Sequence, residues 1–225
     1  MFERYAIFYT PPAGPLQEFG AAWLGWDSVL GQPVAHPEIG ALDIATLTKT
    51  PRKYGLHGTL KAPFRLAEGA DLASVQDAAQ EFAGLHKPVS LAGMELRHEH
   101  GFIGLRPACD QTQLNSLAAN IVRFFDPLRA PLTDADIARR RKSKLSPRQD
   151  QQMLDWGYPF IFEDFHFHLT LSCSIQPALA DTVIQALRPV LMPLVPSPFV
   201  IDAVTVMGED AQGMFHQIHR YALTG

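Results

Sequence analysis

Two stretches of this chain read alike, "LHGTLKAPF" at 56–64 and "FHFHLTLSCSI" at 165–175. Each sets His-x-Thr in an apolar run, and each is followed by the same succession of helix, proline, strand, glycine-bearing turn and strand. Pro88 follows His57 by 31 residues and Pro198 follows His168 by 30, while Gly101 and Gly213 follow at 44 and 45. Matching intervals across more than forty residues predict an internal duplication. The fold expected is therefore α+β and bilobal, a single domain over 1–225 with halves near 1–107 and 108–225 and strand exchange between lobes allowed. Two antiparallel sheets would face a central cleft, with helices outside, and equivalent strands would meet near an approximate two-fold axis.

The rest of the pattern fills in that frame. "YAIFY" (5–9) predicts a buried strand, and 15–30 an amphipathic helix carrying Leu16, Phe19, Trp23 and Leu30. Helices are expected over 71–85, 110–126, 134–144, 147–156 and 178–194, with Thr133 and Ser146 as N-caps and Pro147 in the first turn. "VSLAGMELRHEHGFIGLRP" and "FVIDAVTVMGEDAQGMFHQIHRYAL" each predict strands around a turn.

Successive side chains of a strand point to opposite faces. His57, Thr59 and Lys61 thus share one face, and His166, His168, Thr170 and Ser172 share another, with Leu56, Leu60, Phe167, Leu169 and Leu171 turned to the core. Two imidazoles across a cleft, each beside a hydroxyl, suit phosphoryl chemistry without a metal. One neutral histidine takes a proton from the attacking group, and the other, protonated, gives one to the leaving oxygen. The threonines donate to non-bridging phosphate oxygens. A single triplet of this kind fits a structural histidine better than a catalytic one; the pairing within one repeat is what favours catalysis.

"HGTL" and "HLTL", 111 residues apart from His57 to His168, resemble the paired H-x-T-x signatures of the two-histidine (2H) phosphoesterase superfamily, which includes 2′–5′ RNA ligase-like proteins and cyclic nucleotide phosphodiesterases. "RKYGLHGTLKAPF", "ARRRKSKLSPRQDQQMLDWGYPF" and "FHFHLTL" are similar to one bacterial branch associated with phosphonate-metabolism operons. The resemblance implies a bilobal fold, no obligatory metal or cofactor, and His57, Thr59, His168 and Thr170 as the catalytic quartet. It also implies opening of a cyclic phosphodiester, on a small phosphorylated ribose or at a nucleotide 2′,3′-cyclic phosphate. The alternatives are a non-catalytic phosphate-binding module and a 2′–5′ ligase-like enzyme that processes RNA ends. Gly58 at the variable position weakens the strand slightly and admits close backbone approach.

Several residues carry two readings. Lys61 is either a phosphate contact or a strand-end lysine in solvent, and Tyr54 and Tyr9 either stack on a substrate or belong to the core. "RRRKSK" (139–144) is either a solvated helix face or an insertion that brings Arg139, Arg140 or Arg141 over the cleft to hold a second phosphate. His166 with His168, and His98 with His100, alternate as metal ligands do, yet no carboxylate stands at a recognised ligand spacing. No Walker, dinucleotide or nucleophile-elbow pattern occurs.

Composition narrows the partners. A net charge of −4 gives no basic field for duplex nucleic acid, and leans towards a small phosphorylated ligand over RNA ends. The N-terminal "MFERYAIFYTPP" lacks a signal-peptide core, and no apolar run is long enough to span a membrane. A cytoplasmic monomer with Cys109 and Cys173 reduced is expected.

Overall fold

The computed structural model describes residues 2–225. The chain opens with β1 (Arg4–Tyr9), α1 (Pro15–Leu24), the short pair β2 (Trp26–Asp27) and β3 (Gln32–Pro33), and one turn of helix, α2 (Ile44–Leu47). The first motif strand is β4 (Gly58–Phe64), followed by α3 (Leu72–Leu85), β5 (Val89–Leu91), β6 (Met94–Glu99), β7 (Phe102–Pro107) and α4 (Thr112–Phe124). Helices α5 (Asp134–Arg141) and α6 (Pro147–Trp156) precede the second motif strand β8 (Leu169–Thr170), and α7 (Pro177–Leu191), β9 (Phe199–Ile201), β10 (Ala203–Glu209) and β11 (Phe215–Ala222) complete the chain.

The class is α+β with antiparallel pairing throughout, but the two expected sheets run on as one. Seven strands follow the order β11-β10-β1-β4-β8-β7-β6, and β5 pairs with β9 in a separate ribbon. The join is the β4–β8 contact, where Gly58 faces Leu169. Outward from that seam each motif strand meets first a strand from earlier in the chain (β1 for β4, β7 for β8) and then the first strand of the hairpin that follows the other motif (β10 or β6). Each hairpin thus lies in the arm of the opposite motif.

Burial explains the closeness of the seam. Phe167, Leu169 and Leu171 are buried on the core face, where α3, α4 and α7 cover the sheet. Gly58 lets the Phe167 ring lie directly on its backbone, and a methyl group there would overlap that ring. Gly58→Ala is therefore expected to destabilise the chain by about 1–3 kcal/mol, the usual penalty for overpacking; a shift of the urea midpoint at unchanged slope checks it.

Local signals account for most element ends. Thr133 accepts from the Asp136 amide and Ser146 from the Gln149 amide, both in capping boxes. The first helix is shorter than its hydrophobic pattern suggests, because Gly25 takes a left-handed φ of 77° and donates back to the Ala21 and Ala22 carbonyls. The second motif strand is also shorter than expected. Beyond Thr170 the chain stays near β7 but leaves the ladder: the Ser172 hydroxyl accepts from the Ile103 amide at 2.9 Å, and the Cys173 amide turns to the Leu47 carbonyl at 2.7 Å.

Candidate active site

The seam register places the quartet. With Gly58 opposite Leu169, the same antiparallel register sets His57 opposite Thr170 and Thr59 opposite His168, all four on the face away from α3, α4 and α7. Each histidine thus stands across from the other motif's threonine. Two adjoining cavities open over this row: one of about 320 Å³ lined by His57, Thr59, Thr170, Tyr54 and Arg140, and one of about 500 Å³ lined by Thr59, His168, Arg106, Phe102 and Tyr158.

Both imidazoles are oriented the same way. His57 Nδ1 lies 3.0 Å from the Gly55 carbonyl and His168 Nδ1 lies 2.7 Å from the His166 carbonyl. A carbonyl only accepts, so each Nδ1 carries the proton and each Nε2 is left as the free nitrogen. Phe8 and Tyr54 flank the His57 ring at 4.1 and 5.3 Å between centroids. Phe102 lies 5.1 Å from the His168 ring. Burial pushes His57 down to about 4, against the pull of the Gly55 carbonyl and with a further push from His168. Burial likewise pushes His168 down to about 4, with Arg106, His100 and His166 adding repulsion.

Other residues singled out from the sequence divide. Tyr54 lines the His57 cavity and stacks on Phe215 with centroids 4.9 Å apart. Arg140 lines the same cavity and lies over the Tyr158 ring, 4.8 Å from its centroid, whereas Arg139 pairs with Asp136 at 2.8 Å.

Three expectations are corrected. Lys61 leaves the cleft face because β4 bulges: Phe8 pairs with Thr59 but Ile7 pairs with Lys61, so Leu60 is an extra residue that reverses the pleat. Its ammonium is buried beneath α4, donating to the Val122 carbonyl at 3.0 Å and Asp126 at 3.2 Å, and burial lowers its pKa to about 8 against the pull of Asp126. Tyr9, opposite Gly58, faces the core beside Phe199 and Phe167, and burial raises its pKa. Arg141 is taken by Asp150 in a two-point ion pair at 2.8 Å, outside the cleft.

Sequence reasoning missed Phe8, Tyr158, Phe102 and Arg106. Phe8 gave no signal because both faces of 5–9 are apolar. Arg106 reads from sequence as the polar end of a strand before Pro107. Among the described residues no group of three or more His, Cys, Asp or Glu is placed to hold a metal ion. No helix there is long and apolar enough to cross a membrane.

An antiparallel α+β fold whose central seam presents two His-x-Thr triplets to one cleft has the layout that the two-histidine phosphoesterase resemblance implies. The chain belongs to the family described as "Protein of unknown function (DUF1045)", whose model matches residues 59–216. It is 34% identical over 218 residues to a ribose 1,5-bisphosphate phosphokinase PhnN of Janthinobacterium sp. (strain Marseille), covering 93% of this chain and 48% of that protein. A protein of the same name from Laribacter hongkongensis (strain HLHK9) is 35% identical over 177 residues, 76% of this chain and 40% of that one. The chain thus spans about half the length of the curated relatives it matches, or less. Among solved structures it is similar to a phosphoesterase (17% identity, 99% of both chains, TM-score 0.42). It is also similar to E. coli LigT complexed with NADP+ (18% identity, 100% of this chain and 99% of that one, TM-score 0.40).

Proposed function

We propose that the chain is a phosphoesterase that opens a cyclic phosphodiester with His57 and His168 as its paired base and acid. The observation that carries the reading is the seam register, which sets both triplets on one cleft face while both Nδ1 protons are held by backbone carbonyls. Water attacks phosphorus as one Nε2 removes its proton, and the ring P–O bond breaks as the other imidazolium protonates the departing oxygen. A new P–O bond replaces the broken one, giving a hydroxyl and a phosphomonoester. Thr59 and Thr170 donate to the non-bridging oxygens, and Arg140 and Tyr54, at the rim of the His57 cavity, hold the phosphoryl group and the sugar.

A small phosphorylated ribose is the substrate class favoured. The relatives' names concern a ribose bisphosphate, and this chain has no Gly-x-x-x-x-Gly-Lys-Ser/Thr loop to bind a nucleotide triphosphate. The test is turnover of ribose cyclic phosphates, 2′,3′-cyclic nucleotides and linear diesters in EDTA. Ribose cyclic phosphates are expected to be opened fastest, with activity surviving chelation. Silence on the whole panel, or activity abolished by EDTA and restored by a metal, contradicts the reading.

A further inference from the structure

One residue of the cleft has no part in that mechanism. Gly104 and Leu105 of β7 stand opposite Thr170 and Leu169, so the same register sets Arg106 opposite His168 on the cleft face. Arg106 is 3% exposed, and its guanidinium lies over the Phe102 ring, 4.9 Å from the centroid. Nη2 donates to the Glu99 carbonyl at 3.2 Å. The Glu99 carboxylate lies 3.0 Å from Nε but out of line with its N–H, so this buried donor has no hydrogen-bond acceptor. Nε therefore meets Glu99 through charge alone, while the guanidinium as a whole lines the larger cavity and has more N–H donors than its one bond to the Glu99 carbonyl uses.

The surroundings say which ligand. Arg106 shares the larger cavity, of about 500 Å³, with His100, His166 and His168. The His100 and His166 rings lie 5.8 Å apart. His100 holds a φ of 54°, a left-handed conformation that favours glycine, and its side chain lines the same cavity. Among the described residues Asp164 is the one carboxylate lining this space, and Arg148 (2.8 and 3.0 Å) and Gln149 (3.0 Å) already engage it. With Asp164 engaged elsewhere and Glu99 set beside Nε, the guanidinium and three imidazoles of this cavity favour an anion with several acceptor oxygens.

We propose that Arg106, with His100 and His166, seats a second phosphate, a phosphomonoester on the same substrate whose cyclic diester lies between His57 and His168. The substrate's reactive end rests on the phosphoesterase reading above; the seat itself is a binding claim in which no bond is made or broken. Ring opening of such a substrate leaves a sugar with two phosphomonoesters, the compound class in the relatives' names.

Two readouts test the seat on wild type, Arg106→Gln and Arg106→Lys. The first is kcat/KM for adenosine 2′,3′-cyclic phosphate with and without a 5′-phosphate; the second is calorimetric binding of ribose 5-phosphate. The wild type is expected to prefer the 5′-phosphorylated compound by about thirtyfold, chiefly through KM, and Arg106→Gln to shrink that ratio to about threefold or less. Ribose 5-phosphate binding is expected to weaken about tenfold or more in Arg106→Gln, with Arg106→Lys between. Equal losses on both cyclic compounds, or unaltered binding of ribose 5-phosphate, overturn the seat. Arg106-dependent binding of ribose 5-phosphate without turnover of either compound keeps the seat and removes the phosphoesterase reading. Should the Arg106 variants melt early, His100→Ala and His166→Ala, both at exposed positions, carry the binding test; binding unchanged in both overturns the proposal.

Discussion

His57→Ala and His168→Ala are each expected to lower kcat on a cyclic phosphodiester by about a thousandfold while the chain remains folded, the midrange effect of losing a general acid or base. Within the quartet neither ring has a substitute. Each Nδ1 is engaged by a backbone carbonyl, so only the two Nε2 atoms are free to exchange protons, and the cleft-facing row otherwise offers threonines that do not titrate near neutrality. His57 packs against Phe8 and Tyr54, so its alanine variant also loses some stability, and His57→Gln serves as the fuller-sized control. Single-turnover rates in EDTA, alongside thermal melts, check the expectation. A loss below about tenfold in either folded variant contradicts an acid–base role for that residue.

The pH dependence of kcat/KM is expected to be unusually acidic, and the sign follows from burial. Both free imidazoles are pushed down to about 4, so at pH 7 the empty cleft holds two neutral rings, whereas the mechanism needs one neutral and one protonated. The singly protonated fraction then falls about tenfold for each pH unit above 5, which makes kcat/KM about a hundredfold lower at pH 7 than at pH 5. An anionic phosphate between the rings favours their charged forms, so the kcat profile is expected to lie at higher pH than the kcat/KM profile. Because the two rings are coupled, the limbs belong to the pair rather than to either residue. A kcat/KM that is flat from pH 5 to 7 contradicts the account.

Much of this site was legible because a strand's two faces alternate and because the same triplet occurs twice. The quartet, the caps at Thr133 and Ser146, and the antiparallel α+β class follow from local pattern. Lys61 was misplaced because parity carries only as far as the pleat is regular, and nothing in "GTLKAPF" marks Leu60 as an extra residue. Tyr9 was left between substrate and core, and Phe8 went unnoticed, because "YAIFY" is apolar on both faces and only its pairing with β4 decides which side meets the cleft. Arg106 was invisible for a related reason. Its place opposite His168 arises from pairing between strands far apart in sequence, which no local period records. The continuity of the two sheets likewise depends on one tertiary contact, at Gly58.

The central claim is that His57 and His168 act together on one phosphodiester. The most direct test is a double-mutant cycle in EDTA, comparing His57→Ala, His168→Ala and the double variant on the preferred cyclic phosphate. Residues that work as a unit are strongly non-additive, so the account predicts a double variant within about tenfold of the slower single variant. Losses that multiply, so that the double falls by the product of the two single effects, would mean independent roles and would contradict a shared acid–base pair.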